Sequence, residues 1–392
     1  IHEFHHLSGF TNVMPSMLTL HLVLLNVLNV VQTLRDQKVM PLISNDFNDE
    51  KVPGSEMASH LELRETRSPV DDVDGKQLEQ SFRELEVTQE RLAQAKELKG
   101  KNYCSNGLWH LSGDFKVTRE TLSIKKPCSI TADRVTLFLE HHLHFRDTVH
   151  FHGELSVVAL RPLKDACVRV MGRDVFVEPG AVLRLGGCQN DGRYAYGGAM
   201  RVDGNLAVRG ELHIRDSWAK FRGGAIYAGG RFTQSGGTLT ITNASAERSG
   251  GAIYVKNESF TQLGGNLTIT DASAKSNGGA MWIGGNLTMK KNKLFIRHAT
   301  GKFGGGIRVG RHVSFEDAVA SFDQCHALED GGGIRAVGNV DAVNTSLTFK
   351  SLTATTGHGA ALVAKNLTQC GGDMIILNSS AGQDIISVSK WT

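Results

Sequence analysis

Along the chain the spacing of apolar residues changes twice. From Met17 to Val31 the run MLTLHLVLLNVLNVV is largely apolar, with His21, Asn26 and Asn29 inside it. It falls short of the ~20 apolar residues that a membrane-crossing helix needs. Its length suits the h-region of a secretory signal, although a basic n-region and a small-residue cleavage site are missing. Residues 1–34 are therefore read as a leader, signal peptide or anchor. A charged linker, 35–101, follows. Within it Asp74 is placed to cap a helix whose apolar positions, Leu78, Phe82, Leu85 and Leu92, recur at three- and four-residue steps. The pattern predicts one amphipathic helix over 75–99. The heptad fails at Gln89 and Lys96, so a lone helix packing on the next domain is expected instead of a coiled coil.

After Gly100 the period becomes two, as in VTLFLEHHLHFRDTVHFHGELSVVAL (Val135 to Leu160). From Gly197 a longer repeat is superposed. The marker Gly-Gly-(Ala/Gly)-(Ile/Met) begins at Gly197, Gly223, Gly250, Gly278, Gly304 and Gly331, with a degraded copy, GAAL, at Gly359. Its steps of 26 to 28 residues hold three short strands and three corners, too few for a four-stranded propeller blade and suited to one coil of a solenoid. The expected fold is all-β, a right-handed parallel β-helix over 102–392 with explicit repeats at 197–362. Composition agrees: 33 of the 44 glycines lie after residue 190 and no proline follows Pro179, as expected where interior strands use every backbone N–H. A polar residue seven before each glycine pair (Asp216, Asn243, Asp271, Arg297, Gln324) reads as a corner ladder.

The units SAERSGGAIYV (Ser245 to Val255) and SAKSNGGAMWI (Ser273 to Ile283) resemble the GGAI repeat of polymorphic outer membrane proteins, an autotransporter family with a right-handed β-helical passenger. The resemblance implies a surface-exposed, adhesin-like module and no catalysis. The chain departs from the family pattern in that the FxxN companion is replaced by forms such as Ile241-Thr-Asn243-Ala244, and the residues up to Thr392 hold no C-terminal β-barrel pattern, so autotransport is not expected.

Charge names no partner, since 43 lysines and arginines against 40 acids leave a net +3, too little for a dedicated nucleic-acid binder. Six scattered cysteines contain no CxxC pair, which argues against zinc ribbons and leaves disulfides and buried thiols both open. The main competing function is a polysaccharide-active enzyme, a lyase or glycoside hydrolase. Its one clue is Gly357-His358-Gly359, similar to an element of polygalacturonases, which also sits where the repeat expects a degraded glycine corner. The pairs His142/His144 and His150/His152 have the H-x-H spacing of a strand-borne zinc site, but eight residues place the second pair around a corner from the first. They are read as a polar face, and no cofactor is expected. Sequons begin at Asn243, Asn257, Asn266, Asn286, Asn344, Asn366 and Asn378, in keeping with a secreted or cell-surface glycoprotein.

The binding candidate comes from strand parity. After each glycine pair, Ile or Met and the residue two later face inward, so the residue between them faces out. Coil by coil that position is Arg201, Tyr227, Tyr254, Trp282, Arg308 and Arg335, an aromatic stripe with arginines at its ends. The expected partner is a protein receptor or surface glycan and no nucleic acid, with a membrane tether at the N-terminus or beyond Thr392 compatible with the sequence.

Overall fold

The computed structural model describes residues 89–98, 103, 104, 106–118 and 122–392. The leader and most of the linker lie outside the described residues. The fold is nearly all-β, every pairing is parallel, and the strands bond to their equivalents in coils of about 27 residues. One coil supplies a strand to each of three faces. The first face stacks Leu143–Phe145, Val168–Val170, Met200–Val202, Ile226–Ala228, Ile253–Val255, Met281–Ile283, Ile307–Val309 and Ile334–Ala336. The second stacks Val175–Val177, Leu206–Val208, Phe232–Ser235, Phe260–Leu263 and Leu287–Lys290; the third stacks Glu211–Ala219, Thr238–Ala246, Asn266–Ala274 and Lys293–Gly301.

Register places like on like, and this builds the core. Ile226, Ile253, Met281, Ile307 and Ile334 lie above one another, as do Phe232, Phe260 and Leu287, all fully or almost fully buried. Each such side chain contributes roughly 1.5–3 kcal/mol through the apolar area it removes from water. No single coil encloses these residues, so the stabilisation exists only between neighbours.

The corners use three devices. The first glycine of each pair has positive φ, for example +65° at Gly250, and the second is pressed between carbonyls of the next coil. On the third face a left-handed residue bends the strand at Asp216, Asn243, Asp271, His298 and Gln324, with φ of 52–54°. The Asn243 amide donates to Asp216 Oδ1 at 2.8 Å, and the His298 ring bonds to Asp271 on one side and Gln324 on the other. The expected corner ladder thus exists, but its fourth member is His298 and not Arg297. The turn before Gly304 is one residue shorter than its neighbours, so counting back from the glycines overshoots the corner. In the third device, polar side chains after the first face cap the next coil. Asn205 donates its N–H to Asp174, Arg231 donates to Asn205, His312 to Asn286, and Asn339 to His312 Nδ1.

At the N-terminal end the described helical turns run only over 89–94, and Lys96–Glu97 is a strand paired with Phe115–Lys116. The helix expected to reach residue 99 therefore ends earlier, because pairing with the third face captures the backbone. Two disulfides, Cys104–Cys128 and Cys167–Cys188, each join residues less than one coil apart, and Cys325 and Cys370 are free.

Candidate functional site: an aromatic stack edged by arginines

Strand parity on the first face holds. Ile226 and Ala228, Ile253 and Val255, and Met281 and Ile283 are buried, while Arg201, Tyr227, Tyr254, Trp282, Arg308 and Arg335 occupy the outward position in register. Outward does not mean open, however. Tyr227 and Tyr254 retain only 7% and 3% of their surface. The reason is the strand spacing of ~4.8 Å, close to the thickness at which flat rings stack. Tyr227 and Tyr254 lie 5.5 Å apart at 5°, and Tyr254 and Trp282 lie 4.4 Å apart at 8°. Tyr196 closes the far end of the stack at 4.9 Å from Tyr227. Burial raises the Tyr227 phenol to about 12 and also lifts that of Tyr254.

The residues just before each glycine pair complete the site, and the outward-position argument overlooked them. Tyr196, Arg222, Ser249, Asn277 and Phe303 are bridged in parallel, forming a second column beside the stripe. Their recurrence at a fixed offset from the glycines was the available signal. Arg222 donates to the Tyr254 hydroxyl at 2.8 Å while lying 5.0 Å from its ring centroid. Arg248 lies over Phe221 at 4.9 Å. Phe303 receives Arg308, Arg335 and Lys302, at 5.3, 4.5 and 5.2 Å. Each contact of this kind stabilises by roughly 0.5–1 kcal/mol at an exposed site. Arg201 is paired with Asp203 at 3.1 Å and Arg335 with Asp330 at 3.3 Å. Arg308 has no such carboxylate among the described residues; burial, with the like charge of Arg335 beside it, lowers its pKa.

The histidine pairs divide between faces as their spacing suggests. His144 is on the first face, in register with Arg169, and His150 is on the second, in register with Phe176. Leu143 and Phe151 point inward as expected. Within each pair the rings stand side by side, His142 and His144 at 6.1 Å and His150 and His152 at 6.3 Å between centroids. Of His142, His144, His150 and His152, the set with zinc-like spacing, His150 has a carboxylate partner, whereas His144 Nε2 is buried without a hydrogen-bond partner. His150 Nδ1 bonds to Glu178 at 2.7 Å and its ring stacks on Phe176 at 4.6 Å. His152 is half-buried beside it, in register with Thr131 of the preceding coil, a residue that brings no metal-binding nitrogen, thiolate or carboxylate. Burial is the main cause that lowers the pKa values of His142 and His144. Among the described residues no group of three or more His, Cys, Asp or Glu side chains is arranged to hold a metal. His358 stands one before Gly359, whose φ of +65° matches the corners at Gly223 and Gly250. Its Nδ1 lies 3.4 Å from Asp384, an exposed carboxylate. An open groove of about 540 Å³ runs past Asp174, Phe176, Asn205, Ala207, Arg231 and Glu258, where Ala207 leaves a gap in the second face beside Phe176.

The chain matches no protein-family profile, no curated protein and no solved structure. Among the described residues no helix is long and apolar enough to cross a membrane.

Proposed function

We propose that the chain is a secreted or surface-exposed, non-catalytic β-helix that presents the stripe on its first face to a protein receptor or surface glycan. The observation that carries this reading is the in-register column from Arg201 to Arg335. Stacked aromatics make it rigid, so little side-chain entropy remains to be lost when a partner docks. Arginine and aromatic side chains are also the groups most enriched at binding hot spots. Two disulfides support an oxidising compartment. The sequons at Asn257 and Asn266 are exposed and accessible to glycosylation. The likeness of the GGAI units to surface adhesins supports the same placement.

The test is binding of the purified chain to cell surfaces and a glycan array, compared with Arg201→Gln/Arg308→Gln/Arg335→Gln after both are shown to have equal β-sheet circular dichroism. Loss of binding by the folded variant supports the reading, and unchanged binding rejects the stripe. Release of reducing ends or unsaturated products from polysaccharides, abolished by His358→Ala, would instead establish an enzyme.

A further inference from the structure

The stack covers both faces of Tyr227 and Tyr254 and one face of Trp282, so what the stripe chiefly offers a partner is its edge, and that edge is charged. The relevant positions are the turns before the glycine pairs (191–196, 220–222, 247–249, 275–277 and 302–303) and the outward positions 201, 227, 254, 282 and 308. They carry eight cationic side chains and two carboxylates, Asp191 and Glu247, whereas the whole chain has a net charge of only +3. Positive charge is therefore concentrated on one edge. Farther along, the turn at Glu329 and Asp330 is acidic, so the edge has a definite end.

Internal pairing explains part of this charge and leaves the rest. Arg201, Lys275 and Lys302 have carboxylate partners at Asp203, Glu247 and Glu329. Among the described residues, Arg193, Lys220, Arg222, Arg248 and Arg308 have none within ion-pair distance. Four of these five are guanidiniums, and each lies against a ring: Arg193 on Tyr194, Arg222 on Tyr254, Arg248 on Phe221 and Arg308 on Phe303. A ring face fixes a guanidinium without neutralising it. The N–H fork is then pre-oriented for a bidentate oxyanion. Arg222 and Arg248 belong to adjacent coils one residue out of register, since Arg222 is bridged to Ser249; along the stacking axis the coils are one strand spacing, ~4.8 Å, apart. A pyranose chain with one anionic group per ring advances by a comparable step.

We propose that this edge binds a linear polyanionic glycan, whose sulfate or uronate groups pair with the guanidiniums from Arg193 to Arg308 and whose axis follows the stacking direction of the coils. The proposal rests on the binding reading above and narrows it to a ligand class. Recognition is by charge at a fixed spacing, with the aromatic stack as support and not as a sugar platform.

The experiment uses the full chain and immobilised heparin, with affinity measured from 0.05 to 0.5 M salt by surface plasmon resonance. Two triple variants are compared. Arg193→Gln/Lys220→Gln/Arg248→Gln removes three exposed charges from the edge. Arg146→Gln/Arg231→Gln/Arg311→Gln removes three exposed charges from the turns at the other end of the first-face strands. By analogy with counterion release on other polyanions, the edge variant should bind about 10-fold or more weakly at physiological salt. Its log–log salt slope should fall by about two to three, while the other variant stays within about 2-fold of wild type. Absence of heparin binding at physiological salt, or equal losses in the two variants, overturns the proposal. So does competition by duplex DNA at the same charge concentration as effectively as by heparin. Arg222→Lys/Arg248→Lys/Arg308→Lys provides a second test, since it keeps the charge and should weaken binding by losing the fork. If heparin fails while array or cell binding still depends on Arg201, Arg308 and Arg335, this inference falls and the broader binding reading stands.

Discussion

Replacing Gly251 with alanine should be among the most damaging single-methyl changes in this chain. An added Cβ there would lie 2.0 Å from the carbonyl oxygen of Gly279 and 2.5 Å from that of Ser273. Both obstacles are backbone, so no rotamer change relieves the clash, and adjacent coils would have to part by about 1 Å to restore van der Waals contact. That separation breaks or stretches the bonds from Gly251 N–H to Gly278 O and from Ala252 N–H to Ala280 O, now 3.2 and 2.9 Å. Overpacking costs ~1–3 kcal/mol, and each weakened hydrogen bond a further ~0.5–1.5 kcal/mol. The midpoints of these terms sum to about 4 kcal/mol. Gly236 is the control, because it has a left-handed φ of +83° but no atom within 4 Å of a built Cβ. Its replacement costs only the αL penalty of about 1–2 kcal/mol. Thermal melts followed by circular dichroism should therefore show a fall of about 6–10 °C for Gly251→Ala and about 2–4 °C for Gly236→Ala, at about 2 °C per kcal/mol for a unit of this size. Equal falls, or a larger one for Gly236→Ala, would refute the claim that the second glycine is required for coil contact.

Three further outcomes follow from the chemistry of individual groups. Under non-reducing conditions at pH 8 a maleimide should modify exposed Cys370 and spare Cys325, whose thiol burial pushes up to about 12, as read by mass spectrometry of the intact chain. Removing the Cys167–Cys188 bridge by double alanine substitution should cost about 3 kcal/mol, from its separation of 21 residues, measured by denaturant unfolding. Burial holds His142 and His144 below the ordinary histidine value, so the unfolded chain takes up protons first as pH falls. Their contribution to stability is complete above that ordinary value, roughly 6.5, and is lost as pH drops through the lowered folded values. The melting temperature should therefore decline from pH 7 to pH 5, and less so in His142→Gln/His144→Gln; an identical decline would exclude these two groups as the cause.

The coil period was legible because it depends on glycine, the one residue whose placement both a positive φ and a close backbone approach dictate. Inward and outward parity was equally legible, since Ile226, Ile253 and Met281 repeat at a fixed offset from that marker. What parity does not contain is the distance to the next coil's side chain at the same position. Hence Tyr227 and Tyr254 were correctly aimed outward, while their mutual burial became visible only in three dimensions. The same gap separates the H-x-H spacing of His150 and His152 from a metal site, since the spacing says nothing of Phe176 and Thr131 on the neighbouring coils. A fixed offset also fails where a turn shortens, which is why His298, and not Arg297, occupies the left-handed corner. The strand at Lys96–Glu97 depends on pairing with Phe115–Lys116, a partner that helical periodicity takes no account of. Disulfide connectivity was open for the same reason: no local pattern relates Cys167 to Cys188.

The most direct test of the claim that the glycine-pair turns and their arginine edge form the recognition face is amide hydrogen exchange of the full chain with and without saturating heparin. Binding at that edge should slow exchange in the turns at 220–222, 247–249 and 302–303. The third-face strands that carry Thr240 and Thr268 should remain unchanged. Protection confined to the third face, or to the groove beside Phe176, with no change in those turns would contradict the account.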